Sequence, residues 1–259
     1  MGRERELTTL GDLLVQVAQG HGQVVSIVGE PGVGKSRLCY ELTQAQHPHH
    51  WLILESSPVA YGKDTPYLPV LDLLKAYFQL DVRDEPRTIR DKVLGTLGTL
   101  EEGLGPILPA VLTLLDVPVD DPHWQAFEPP QRRQRTLEAC TCLLLRASQV
   151  QPLLLVVENL HWIDTETQAF LDRLVDSLPS ARIVFLVTYR PEYHHGWGSK
   201  TYYTQIRLDP LPPARAEELL HELLGAHPTL EPLIQRLITR TEGNPFFLEI
   251  GRASCRERV

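Results

Sequence analysis

Apolar residues in this chain gather into short unbroken runs separated by longer stretches with helical spacing. Val24, Val25, Ile27 and Val28 make residues 23–28 a β-branched run with no polar face, which predicts a strand covered on both sides in a parallel sheet. Residues 153–157, all Leu and Val, and residues 182–188, with Ile183 to Val187 at their centre, repeat that pattern. Residues 51–55 and 204–208 are two further strand candidates. Between the first two strands, residues 36–46 set Leu38, Cys39 and Leu42 at helical spacing and stop at His47 and Pro48; residues 165–177 predict another helix. Strands alternating with helices argue for an α/β fold, a three-layer sandwich around a parallel five-stranded sheet.

Two stretches depart from simple alternation. Residues 66–80, 86–100 and 104–115 carry helical patterns broken by Pro and Gly. Residues 131–148 follow, with Leu137, Cys140, Leu144 and Leu145 as an inner face. The interval at about 58–150 is therefore expected to be a helical insertion, since a structureless loop of that length is rare in a compact domain. After residue 208, Asp209, Pro210, Leu211, Pro212 and Pro213 read as a linker. Helices at about 214–225 and 230–241, with Leu219, Leu220, Leu223 and Leu224 on one side, read as the start of a helical lid. The expected division is a core at 1–208, a lid beginning at 209–249, and a separate tail at 250–259.

The turn after the first strand carries the chemistry. Gly29, Glu30, Pro31, Gly32, Val33, Gly34, Lys35 and Ser36 fit G-x-x-x-x-G-K-[ST], a phosphate loop flanked by the strand and helix it needs, with Arg37 following. Glycines let successive N–H groups converge on one anion, Lys35 reaches the outer phosphates, and the Ser36 hydroxyl can ligate Mg²⁺. The positive end of the helix adds to the attraction. Residues 153–157 deliver Glu158 and Asn159 to the carboxyl edge of the sheet, where ligands of open α/β folds sit. That is a Walker B arrangement: Glu158 can hold Mg²⁺, usually through water. Asn159 takes the place of a second acid, and an amide can hydrogen-bond a water without taking its proton. A helix-cap or loop carboxylate is the plainer role for Glu158. Arg190 ends the run 182–188 and can reach a γ-phosphate, or simply make a surface ion pair.

Composition changes few of these expectations. The chain has 259 residues, 42% of them hydrophobic, enough for a full domain and part of another. Its apolar runs fall short of the roughly 18–20 residues that span a bilayer, and Met1 to Glu6 are too charged for a signal peptide, so a cytoplasmic protein without membrane contact is expected. Four cysteines, with Cys140 and Cys142 as C-x-C, suit reduced or core thiols. His47, His49 and His50 cluster around Pro48 as a solvent loop rather than a metal site. The basic run Arg132, Arg133 and Arg135 reads as a solvated helix face pairing with acids, with nucleic acid or a neighbouring subunit's phosphate as the other candidates. The net charge is -8. Residues 250–259 resemble the translation of a sequencing adapter, so a different natural continuation is expected after Glu249. Without Arg252, Arg256, Arg258 and Glu257 the charge becomes -10, which opposes extensive nucleic-acid contact.

The motifs together carry a family resemblance. Gly2 to Leu7, the loop 29–36, Glu158 to Asp164, Thr188 to Glu192, and Glu242 to Phe247 occur in the order seen in STAND-class P-loop ATPases. More narrowly, the chain resembles the AAA-type ATPase module of bacterial multidomain regulators, placed between a class III nucleotidyl cyclase domain and tetratricopeptide repeats; Tyr193 to Tyr203 look characteristic of that subgroup. The resemblance implies a switch that binds ATP and Mg²⁺, with other domains of a longer parent chain, and possible self-association, as partners. It implies Arg3 near the adenine or ribose, Arg190 as a γ-phosphate sensor and Pro245 in the lid over the base. Relatives often carry a second acid where this chain has Asn159, so slow hydrolysis is expected. Asp164 could compensate, although a helix cap before Thr165 is its simpler role. A DNA-linked AAA-type loader and a non-hydrolysing nucleotide-binding scaffold are the alternatives.

Overall fold

The computed structural model of the chain describes residues 2–46, 51–60, 65–100, 104–225 and 227–256. The histidines at 47, 49 and 50 lie outside the described residues. Five strands, β1 (Gln23–Val28), β2 (Leu52–Ser56), β3 (Leu153–Val157), β4 (Ile183–Tyr189) and β5 (Tyr203–Arg207), form one sheet in the order β2-β3-β4-β1-β5, with every pairing parallel. The three inner strands are buried nearly end to end, which is why they contain no charged residue and are mostly apolar.

Strand periodicity sends alternate side chains to two cores. Val24, Val28, Leu155, Val157, Phe185 and Val187 point to one face, where α3 (Leu68–Tyr77), α4 (Pro86–Leu100), α5 (Leu108–Leu114), α7 (Pro129–Val150) and α8 (Thr165–Asp176) contribute Leu74, Val93, Val111, Leu143 and Phe170. Val25, Ile27, Leu154, Val156, Val184 and Leu186 point to the other, which α1 (Glu4–Ala18) and α2 (Lys35–Gln46) close with Leu10, Leu14, Val17, Leu38 and Leu42. Each such side chain, taken from water, contributes about 1.5–3 kcal/mol. The long interval between β2 and β3 is helical as expected, and it is no appendage: α3 and α7 supply much of the layer covering one sheet face. A short α6 (Pro122–Gln125) leads into α7, whose first turn accepts Pro129 and Pro130 because the N–H groups there have no helical partner. A capping box between Glu128 and Gln131 fixes that start.

The last helices form a third, smaller core. In it α9 (Pro213–Leu224), α10 (Glu231–Thr241) and α11 (Pro245–Arg256) bury Ala216, Leu220, Ile234, Ile238 and Leu248. Leu219 and Leu224, partly exposed as Leu223 is, pack around this centre. Helices α1 and α11 were not expected from the sequence. In α1 the signal was available as Leu7, Leu10, Leu14 and Val17 at helical spacing behind a charged start. Among the described residues no helix is long and apolar enough to cross a membrane.

Candidate functional site

The carboxyl edge of the sheet gathers the candidate residues. Parallel registry sets Val28 beside Tyr189 and Val157 beside Val187, so Gly29, Glu158 and Arg190 leave their strands at neighbouring heights. The turn from β1 into α2 holds Gly32 at φ 83° and Gly34 at φ 97°, the left-handed region that a side chain disfavours. A Cβ at Gly29 would come within 2.5 Å of the Leu208 carbonyl oxygen, so the loop can pass β5 there with no other residue.

Lys35 is nearly buried, and its Nζ donates to the Gly29 and Glu30 carbonyls at 2.7 and 2.9 Å. Burial, then the nearby Arg190 guanidinium, pushes its pKa below the ordinary lysine value, with Glu30 and Glu158 opposing. Lysine and arginine side chains at one sheet edge can attract a polyanion. The Ser36 hydroxyl donates to Oε2 of Glu158. A hydroxyl and a carboxylate in contact, beside a turn rich in N–H groups, are the donor set a hard divalent cation on a phosphate prefers.

Glu158 and Asn159 are fixed by the sheet itself. The Glu158 N–H donates to the Ser56 carbonyl at 2.9 Å, and the Asn159 N–H to Oγ1 of the fully buried Thr188 at 3.0 Å. Asn159 adopts φ 53°, ψ 45°. Arg190 lies over the Trp162 ring at 5.6 Å and beside Glu192 at 3.9 Å, so its guanidinium has an aromatic and an acidic resting place at the edge of the site. Asp164 is a helix N-cap, its carboxylate accepting the Glu166 and Thr167 N–H groups. The basic run is likewise absorbed locally. Arg132 donates to the Phe127 and Gln125 carbonyls, Arg133 pairs with Glu166, and Arg135 packs over Phe127 near Glu138.

The N-terminal segment and the last helices approach the same loop. Arg3 Nη2 donates to the Val33 carbonyl at 3.2 Å and to the Asp209 carbonyl at 2.6 Å, and Nη1 pairs with Glu6. Pro245 opens α11, and the residue before it, Asn244, donates from Nδ2 to the Pro31 carbonyl at 3.0 Å. Arg37, by contrast, is largely exposed and pairs with Glu41. Sequence reasoning missed Trp162 as a rest for Arg190 and Asn244 as a contact to the loop. Both sat inside quoted motifs, as neighbours of the residues that drew attention.

A model of the AAA ATPase domain family matches residues 1–187, most of the chain. The chain belongs to the AAA ATPase domain family. An uncharacterised protein of Rhizobium meliloti strain 1021 is 26% identical over 214 residues, which are 82% of this chain and 20% of that relative. The chain thus spans about a fifth of the curated relative it matches. Two solved structures share the fold over 96% of the chain. One is a Signal Transduction ATPase with Numerous Domains from Pyrococcus horikoshii, with a tetratricopeptide repeat sensor (TM-score 0.51, 16% identity, 29% of that chain). The other is a chain of the Drosophila ORC bound to DNA (TM-score 0.52, 12% identity, 54% of that chain).

In this AAA ATPase domain the segment after Arg190 is built on rings. His195 stacks on Trp197 at 4.4 Å, bonds the Tyr189 hydroxyl at 2.9 Å and lies edge-on to Tyr203, whose hydroxyl meets Ser26 at 2.6 Å. Trp197 Nε1 donates to Asp172 on α8 at 2.8 Å, and Tyr193 donates to Gln168. Burial pushes the Tyr189 and Tyr193 hydroxyls up and the His195 imidazole down from their ordinary values. The cluster fixes the strand that carries Arg190 to both β1 and α8.

Proposed function

We propose that this domain binds ATP with Mg²⁺ at the loop 29–36 and acts as a nucleotide-dependent switch in a longer signalling protein, with slow hydrolysis at most. The observation that carries this reading is the meeting of Lys35, the Ser36–Glu158 pair and Arg190 on one sheet edge. The bound cation would neutralise phosphate charge between the Ser36 hydroxyl and Glu158. Lys35 offers its ammonium to the outer phosphates, and the N–H groups of residues 32–36 to the inner ones. Arg190, resting on Trp162, is free to turn toward a γ-phosphate and so report its presence. Asn159 can orient a water by hydrogen bonding but has no basic atom to take its proton, so the burden of cleaving the β–γ phosphoanhydride bond falls on positioning and charge. Arg3, which bonds the Val33 and Asp209 carbonyls, fits a support for the base pocket better than a direct ribose contact. The helices from residue 209 act as the lid, with Pro245 over the base. The cyclase and repeat domains implied by the sequence resemblance would be the partners that the switch addresses; similarity to a STAND protein with a repeat sensor bears on the repeat domain alone.

Nucleotide binding and turnover by the parent, Lys35→Ala, Glu158→Gln and Asn159→Asp test the reading. Losing one charge-assisted phosphate contact costs about 1.5–3 kcal/mol, so Lys35→Ala is expected to weaken ATP binding by roughly 10- to 100-fold. Asn159→Asp is expected to raise turnover. Unchanged affinity in Lys35→Ala would sink the assignment of the loop. The similarity to an ORC chain bound to DNA favours a second reading, a DNA-linked loader. Salt-dependent binding of duplex DNA would support it, and the net charge of -8 speaks against it.

A further inference from the structure

The backbone carbonyls of Gly29 to Gly34 are all accounted for, and three of them are taken by residues far away in sequence. Gly29 and Glu30 give theirs to Lys35 Nζ. Gly34 gives its carbonyl to the Leu38 N–H inside α2. The three between are received from outside: Pro31 by Asn244 Nδ2 at 3.0 Å, Gly32 by the Phe246 N–H at 3.3 Å, and Val33 by Arg3 Nη2 at 3.2 Å. The fit is close. A Cβ on Gly32 would stand 2.6 Å from Asn244 Oδ1 and 2.8 Å from the Phe246 Cβ. Asn244 serves two purposes at once, because its Oδ1 also accepts the Phe246 N–H at 3.2 Å as a cap on α11. Behind it, Gly243 is held against the linker by the Leu211 N–H, which donates to its carbonyl at 2.9 Å.

We infer that Asn244 is a positioning residue that latches the C-terminal helices to the carbonyl side of the nucleotide loop, so that lid position and loop occupancy form one equilibrium. The inference rests on the reading of residues 29–36 as the phosphate site. A peptide group whose N–H is held by an anion is polarised, and its carbonyl becomes a stronger acceptor. Phosphate on the N–H side therefore tightens the latch on the C=O side, and by linkage the latch tightens phosphate to the same degree. Diphosphate and triphosphate both fill the N–H side. The latch accordingly sets how long either nucleotide stays and leaves discrimination between them to Arg190.

Asn244→Asp removes the latch but adds a charge that itself repels phosphate, so acceleration counts for the latch only where the uncharged second variant shows it too. It keeps an oxygen to cap α11, removes the Nδ2 donor and sets an oxygen against the Pro31 carbonyl. Asn244→Ser is the second variant, keeping a small capping group that lacks the amide. Stopped-flow release of fluorescent ADP and of a fluorescent non-hydrolysable ATP analogue is measured for each, beside thermal melting. A lost hydrogen bond of about 1 kcal/mol corresponds to roughly fivefold, so both nucleotides are expected to leave at least that much faster, with the melting temperature of the nucleotide-free protein nearly unchanged. Release within twofold of the parent, or acceleration for the triphosphate alone, overturns the inference. If the parent binds no nucleotide, the reading of the site fails. The latch is then judged by hydrogen exchange of residues 245–249 in nucleotide-free protein, where faster exchange in Asn244→Asp supports it and unchanged exchange overturns it.

Discussion

Asn159 occupies a left-handed backbone conformation that costs most L-residues about 1–2 kcal/mol and that Asn tolerates through its short polar side chain. The choice of an amide there has a conformational reason as well as a chemical one. Asn159→Ala is expected to lower unfolding stability by about 1 kcal/mol, while Asn159→Gly stays close to the parent, as read from urea midpoints. Equal midpoints for Ala and Gly would contradict the conformational argument. The sequence made the residue type legible, and with it the doubt about proton transfer. It could not make the conformation legible, because that is imposed by bonds from residues 158 and 159 to Ser56 and Thr188 on two other strands. Arg190 is a similar case. Its position followed from the end of an apolar run, but its rest on Trp162 depends on how two strand ends meet.

Among the elements, the inner strands were legible because burial on both faces leaves a nearly pure apolar run. The loop between β1 and α2 was legible because its glycines and lysine are adjacent in the chain. The contact between that loop and α11 was not, since its partners, Pro31 and Asn244, are 213 positions apart. The connection between β4 and β5 stood out only as a resemblance, and its physics is a ring cluster. His195 there faces Tyr189, Tyr193, Trp197 and Tyr203, with Asp172 and His194 as the nearby charge-bearing groups. Burial, as the largest cause, and His194 hold the imidazole below its ordinary value of 6.5, and Asp172 partly offsets them. Folding therefore favours the neutral ring. As pH falls through 6.5 the unfolded chain takes up this proton first, so stability declines until the folded-state pKa is reached and this contribution levels off. His195→Gln is expected to flatten that part of the stability profile between pH 7 and the folded-state pKa, measured by denaturant midpoints. An unchanged slope would show that the ring carries no such linkage.

For the whole molecule, an acidic chain concentrates two cations, Lys35 and Arg190, at one sheet edge and lets helices from the far end of the sequence close on the adjoining loop. The proposed division of labour gives each part a separate duty: the loop and Lys35 would sense phosphate, Arg190 the last phosphate, and the C-terminal helices would respond to occupancy. Hydrogen exchange compared between the free protein, the ADP complex and the complex with Mg²⁺ and a non-hydrolysable ATP analogue tests this scheme most directly. Protection of residues 209–249 by both nucleotides is expected, with a difference between the two complexes within residues 158–197, around Glu158, Trp162 and Arg190. Identical exchange in the ADP and ATP-analogue complexes throughout the chain would contradict the switch.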